Sequence, residues 1–179
     1  MKVYLVRHGE TKYNLLHILM GRRIDETLDK HGVEQAKEIA RKLDHNVDIV
    51  FASPMKRAQQ TAFIISNELK LSVHTRDELA ERDFGKLTGK SWAEVEQITG
   101  TSLPYIEEHL SVDLKKYNVE SGSAIKMRLL HFLSDLKKDY PSRFPLIVCH
   151  SGIINLMYQL FPAIKKLDTK NASIHVFEI

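Results

Sequence analysis

A single cysteine, Cys149, in 179 residues excludes an intrachain disulfide, so no covalent cross-link holds this chain together. Glycine (8) and proline (5) are too sparse for a collagen-like, linker-rich or low-complexity chain. No apolar run approaches the roughly 20 residues that a bilayer span requires. Met1-Lys2 leads straight into the short run Val3-Tyr4-Leu5-Val6, without the apolar core of a leader. An excess of one charge is lacking too: 26 Lys and Arg stand against 23 Asp and Glu, a formal +3, with no basic arm. These absences predict one cytoplasmic domain over residues 1–179 that binds neither membrane nor nucleic acid. What is present, 43% hydrophobic and 27% charged residues, is the balance of a chain with one filled core.

The apolar pattern alternates between strand and helix. Val3-Tyr4-Leu5-Val6 reads as a buried parallel strand that stops at Arg7-His8-Gly9. Val33, Ala36, Ile39, Ala40 and Leu43 recur at spacings of three and four, which predicts a helix over 31–43. A second strand covers 48–52, after which Ser53 and Pro54 suit the N-cap and first-turn positions of a helix reaching about Leu69. Residues 71–75 form a third strand, and 76–90 read as loop. The stretch 91–114 predicts two short helices broken near Gly100 and Pro104, a small helical cap within 90–118. Beyond Glu120-Ser121 a long amphipathic helix ends before Pro141, Leu146-Ile147-Val148-Cys149 is the most apolar strand, and a helix and a strand over 173–178 follow. The fold class is α/β, a three-layer sandwich with a mostly parallel sheet covered by helices on both faces.

Ligands of such sheets bind beyond the carboxyl ends of the strands. Arg7-His8 lie at one such end, Arg57 near the start of the helix after a second, and His150 at a third. Two guanidinium forks match a tetrahedral oxyanion, and the helix start after His150 adds backbone N–H donors. A neutral imidazole is a nucleophile toward phosphorus when its second nitrogen is held by an acceptor, so His8 or His150 fills that role. Glu78, Glu81 or Asp83 on a neighbouring loop would protonate the leaving alkoxide. Cys149 makes a poor alternative nucleophile. A Cys-x-x-x-x-x-Arg phosphate loop needs arginine where Asn155 stands, and adjacent strand residues face opposite ways.

Arg7-His8-Gly9-Glu10-Thr11 resembles the RHGE(T/S) signature of the histidine phosphatase superfamily, the phosphoglycerate-mutase-like proteins. The resemblance continues through Asn14, Gly21, Asp25, Gly32 with Gln35-Ala36, the block from Ser53 to Ala58 with Gln60-Thr61-Ala62, and Glu81 with Gly85 and Gly89. Glu120-Ser121 with Arg128, Val148 to Gly152, and Asn171 with Ser173 extend it over nearly the whole chain. It implies that His8 becomes phosphohistidine, that Arg7, Arg57 and His150 hold the phosphoryl group, and that Glu81 is the proton donor. Asn14 and the backbone near Ser151 would complete the phosphate pocket, and Gly21 lies where family members contact substrate. Neither metal nor cofactor enters this scheme, because the arginines and His150 supply the charge stabilisation. Three positions depart from the pattern: Ser151 replaces a common glycine, adding a hydroxyl beside the phosphate, while Val119 replaces glycine and Thr27 replaces proline.

The resemblance covers both mutases and phosphatases. Mutases of the family carry a longer insertion with basic residues for a phosphoglycerate carboxylate, and the thirty or so residues between Gly89 and Glu120 leave no room for it. A metal-independent phosphomonoesterase acting on small phosphorylated metabolites is therefore expected, with mutase and non-catalytic phosphate binder as the alternatives. Arg22 and Arg23 are candidates for a second anionic group at the pocket mouth, or are solvated surface charges. Trp92 is expected in the core rather than as a stacking surface. His17, His31, His45, His74, His109, His131 and His175 lack close ligand spacing, so no zinc site is expected.

Overall fold

The computed structural model describes residues 1–43 and 46–179. Its centre is a five-stranded sheet in the order β3-β2-β4-β1-β5, built from β1 (Lys2–Arg7), β2 (Ile49–Ala52), β3 (Val73–Thr75), β4 (Pro145–Cys149) and β5 (Ile174–Glu178). The first four strands pair in parallel, and β5 closes the β1 edge antiparallel. Strands expected over 3–6, 48–52, 146–149 and 173–178 thus form at those places, and β3 is shorter than expected.

Alternation of side chains splits each strand between two cores. Tyr4, Val6, Val50, Ala52, Leu146 and Val148 face α2 (Lys30–Lys42) and α3 (Lys56–Leu69) through Ile39, Ala40, Ala58, Ala62 and Ile65. Val3, Leu5, Phe51, Ile147 and Cys149 face α6 (Gly122–Asp139) and α7 (Ser151–Leu160) through Ile125, Phe132, Ile153 and Met157. Each buried Leu, Ile or Phe contributes about 1.5–3 kcal/mol, which orients the sheet within this sandwich. Two short helices, α4 (Trp92–Thr99) and α5 (Leu103–Glu108), have a separate apolar cluster around Phe84, Leu87, Val95 and Ile106. A one-turn helix, α1 (Lys12–Leu15), follows β1. No described helix is long and apolar enough to cross a membrane.

Two helix boundaries differ from expectation. Helix α3 is capped by Met55, because the Ser53 hydroxyl accepts from Met55 N at 3.3 Å and is also bonded to His150 Nε2 at 2.7 Å. Pro104 does not break a helix but occupies the first turn of α5, where a missing N–H costs nothing; Gly100, at φ +73°, ends α4.

The loop after β1 rests on backbone contact. Gly9 and Gly32 approach so closely that a Cβ on Gly32 would collide with the Glu10 carbonyl oxygen. Gly32→Ala is expected to cost about 1–3 kcal/mol by overpacking, read as a lowered urea midpoint at unchanged m-value. An unaltered midpoint would mean that the loop gives way freely.

Candidate active site

Parallel register brings the chemistry to one edge. Arg7, the last residue of β1, lies opposite Cys149, the last of β4, and His8 N donates to Cys149 O at 3.1 Å. The His8 and His150 rings therefore sit side by side, 5.1 Å between centroids. Helix α3 adds Arg57 from its first turn, and the loop after Leu79 adds Glu81. Arg7, His8, Asn14, Gly21, Arg57, Glu81 and Ser151 line a single cavity of about 40 Å³, enough for roughly three water-sized groups. His150 does not line it; the ring is fully buried edge-on to His8, with Nε2 on Ser53 and with Nδ1 lacking a partner among the described residues.

The polar contacts fix most orientations. His8 Nδ1 lies 2.7 Å from the Gly9 carbonyl, which can only accept, so Nδ1 carries the hydrogen and Nε2 the lone pair. Arg57 Nε donates to that lone pair at 3.2 Å, while its two terminal nitrogens are held by Ile24 O and Gly21 O. Gly21 thus steadies Arg57 as well as lining the cavity. Asn14 Oδ1 accepts from Thr11 N, Thr11 Oγ1 and Asn171 Nδ2, which turns its own amide N–H₂ away from these donors. Glu81 accepts from Arg82 N at 2.8 Å and from Gly152 N at 3.4 Å, so its carboxyl caps the start of α7. A Cβ at Gly152 would stand 2.5 Å from Glu81 Oε1, which accounts for glycine there.

The other acid candidates lie elsewhere. Asp83 pairs with Arg23 at 2.6 Å, and Glu78 pairs with Arg76 at 2.9 Å. Arg22 donates to Glu81 O, Arg23 pairs with Asp83, and neither lines the cavity. Trp92 is not core; it is 37% exposed, tilts against His17 at 4.6 Å and forms a cavity wall. Glu78, His131 and Asp135 bring ligand-type atoms within 4.8 Å of one another. That grouping is invisible in the spacing of the histidines, and the Arg76 guanidinium already bonds both its carboxylates. His45 lies outside the described residues.

Glu107 is the site residue that sequence reasoning missed. It projects from α5 into the same cavity, where Ser151 Oγ donates to its Oε1 at 3.3 Å. Its signal was the spacing of four from Leu103, which lines the same wall. A larger cavity of 490 Å³ opens alongside, sharing Arg7, Asn14, Trp92, Leu103 and Glu107 with the first.

Comparison with known proteins decides the family. The sequence pattern of the histidine phosphatase superfamily (branch 1) matches residues 3–179. The chain belongs to the histidine phosphatase superfamily. A Bacillus subtilis relative called uncharacterized phosphatase PhoE is 33% identical over 157 residues, 87% of this chain and 74% of its own. Phosphoserine phosphatase 1 of Hydrogenobacter thermophilus is 29% identical over 160 residues, 88% of this chain and 74% of its own. Among solved structures, the phosphoserine phosphatase of Entamoeba histolytica in complex with 3-phosphoglyceric acid superposes with a TM-score of 0.77. It is 27% identical, over 99% of this chain and 90% of that one. Phosphatase is the activity class that these comparisons support.

Electrostatics in this histidine phosphatase keep the imidazoles neutral. Burial, then Arg57 and Arg7, hold His8 well below its ordinary pKa. Burial, Arg57, His8 and Arg7 do the same for His150. Burial also pushes Arg57 down to about 10 and lowers Arg7. The Cys149 thiol is pushed up by burial, which keeps it inert. Burial and the nearby Glu81 raise Glu107 to about 7.

A pH effect on stability follows. His8, His150 and His175, the last held down to about 4 by burial, refuse a proton that the unfolded chain takes near 6.5. Below that pH the unfolded state binds more protons, so unfolding free energy falls on acidification. Glu107 acts in the opposite sense between about 7 and 4.5, one group against three. The urea midpoint is therefore expected to drop between about pH 7 and pH 5; a rise would mean that the folded chain accepts these protons.

Proposed function

We propose that this chain is a metal-independent phosphomonoesterase that works through a phosphohistidine on small phosphorylated metabolites. The observation that carries the reading is the state of His8: neutral, with Nδ1–H tied to Gly9 O and the Nε2 lone pair turned toward Arg57 in a cavity lined with phosphate donors.

Without substrate, the Arg57 Nε–H occupies the lone pair that must attack. A phosphoryl oxygen offers that donor a stronger, charge-assisted acceptor, so binding itself frees the nucleophile. Arg7, Arg57, the Asn14 amide and the N–H groups at the start of α7 then hold the phosphoryl oxygens. His8 Nε2 forms the N–P bond as the P–O bond to the leaving group breaks, and the departing oxygen takes its proton from Glu81. The Glu81 carboxylate next takes a proton from water, whose oxygen attacks phosphorus. The N–P bond breaks, inorganic phosphate leaves, and His8 Nε2 regains its lone pair. His150, braced by Ser53, packs edge-on against His8, and α4 and α5 serve as the cap, with Trp92, Leu103 and Glu107 forming its inner wall.

The short stretch between Gly89 and Glu120, folded here into α4, α5 and one further turn, leaves no room for the basic insertion of a mutase and favours hydrolysis. The test is phosphate release from a panel of phosphomonoesters by chelator-treated protein, beside a phosphoglycerate mutase assay. Release under chelation is expected. Phosphoglycerate interconversion without release would replace this reading with the mutase, and binding without either would leave a phosphate-binding relative.

A further inference from the structure

We infer that the 490 Å³ cavity beside the phosphate pocket selects leaving groups that carry an ammonium, with Glu107 as the specificity-determining residue. The inference rests on the phosphomonoesterase reading, since a leaving group must occupy this cavity while its phosphate sits at His8.

The charge of the cavity wall points this way. Glu10, Glu107, Glu108 and Asp168 line it, against Arg7 and Lys170. Arg7 is engaged by Thr169 O at 2.7 Å and also faces the phosphate pocket, and Glu108 is paired with Lys166 at 2.7 Å. Glu10, Glu107 and Asp168 form no direct ion pair among the described residues. They share the wall with apolar Leu15, Trp92, Leu103 and Pro104 and with uncharged polar groups, Asn14, Asn155 and Asn171 among them.

One buried group and one half-buried carboxyl mark the cavity as built for a ligand. Asn155, 4% exposed, lines it and has an Oδ1 with no hydrogen-bond partner. The Glu107 carboxyl is fixed from behind by the Ser151 hydroxyl, so it stands beside the phosphate cavity and inside the larger one at once. A phosphate dianion arriving next to Glu107 raises the cost of a charged carboxylate there. An ammonium on the leaving group, lying between the two anions, removes that cost, whereas a hydroxyl in its place does not. A site built to pair with one polar group penalises the analogue that lacks it, because its own buried group is then left unmatched.

Matched substrates test this directly. Phosphoserine and 3-phosphoglycerate differ only by ammonium against hydroxyl, as do 2-aminoethyl and 2-hydroxyethyl phosphate. In both pairs kcat/KM is expected to favour the ammonium by about tenfold or more, and in Glu107→Gln both ratios should fall to about threefold or less. A ratio taken on one preparation is independent of the fraction of folded enzyme, so partial misfolding of the variant cannot mimic the result. Ratios near one in the unaltered chain, or ratios that survive Glu107→Gln, overturn the inference. If 4-nitrophenyl phosphate is hydrolysed in that case, only the ammonium selection falls. If no ester in the panel releases phosphate, the phosphomonoesterase reading falls with it.

Discussion

His8→Ala is expected to reduce kcat by about four orders of magnitude or more on every phosphomonoester, the scale seen when a nucleophile is removed from a covalent mechanism. The substitution removes what is, among the described residues, the only imidazole that lines the phosphate cavity. It also leaves Arg7, Arg57 and Asn14 in place, so phosphate binding should persist while turnover does not. Stability should fall by about 2–4 kcal/mol, because the Nδ1–H bond to Gly9 O is lost and the buried Arg57 Nε–H is left without its acceptor, while removing a buried neutral imidazole relieves the acid sensitivity described above. His150 is the competing nucleophile. Its Nε2 is bonded to Ser53, and its ring is fully buried and does not line the phosphate cavity. Quenching the wild type in alkali during turnover should trap an alkali-stable phosphoramidate that is lost on acid treatment and that His8→Ala fails to form. A label that persists in the variant, or turnover that survives, would move the nucleophile elsewhere.

Much of this was legible in the sequence for a specific reason. Strand ends are announced by local signals: an apolar run stopping at Arg7-His8, and another at His150. Parallel pairing makes every such end converge on one edge, so the shared placement of His8, His150, Arg57 and Glu81 followed from parallel topology alone, without the strand order. The residues that escaped are those whose partners are distant in sequence and unrelated in pattern. Ser53 reads locally as an N-cap, yet its hydroxyl braces His150 across nearly a hundred residues. Trp92 reads as core because it is large and apolar, but α4 lies over the mouth of the pocket and its first residue becomes wall. Glu107 shares its helix with a second, exposed glutamate, Glu108, and only the docking of α5 beside α7 tells them apart. Arg22 and Arg23 were ambiguous for the same reason, and Asp83 and the Glu81 carbonyl decide it by drawing them aside.

The departure at Ser151 also gains a meaning from this packing. Where the family pattern has glycine, the hydroxyl here bonds Glu107 and so joins the covering helix to the phosphate site. Adjacent Gly152 cannot vary in the same way, because the Glu81 carboxyl fills the space of a side chain. The start of α7 therefore meets two carboxyl groups with different duties, Glu81 against the backbone N–H of Gly152 and Glu107 against the hydroxyl of Ser151.

Glu81→Gln separates those duties. For alkyl phosphates, whose leaving alkoxide is strongly basic, loss of the acid is expected to lower kcat/KM by about 10²–10⁴-fold. For 4-nitrophenyl phosphate, whose leaving group departs without a proton, the loss should stay within about tenfold. The comparison must use kcat/KM, which reports steps up to departure of the leaving group. Under the proposed mechanism both substrates share the hydrolysis of phosphohistidine in steady state, with Glu81 also serving as its base. The aryl ester should accordingly give a burst of one nitrophenolate per site followed by slow turnover. Glutamine keeps the size of the side chain, so the close approach to Gly152 survives. It has one oxygen for the two backbone donors, Arg82 N and Gly152 N, and forfeits about one hydrogen bond, near 1 kcal/mol. Glu107 lines the same cavity and is the alternative acid. Equal losses on alkyl and aryl esters in Glu81→Gln, with the leaving-group dependence appearing instead in Glu107→Gln, would transfer the proton donor to α5. Under the reading proposed here, Glu107→Gln alters the ratio between ammonium and hydroxyl substrates and leaves the alkyl-to-aryl ratio to Glu81.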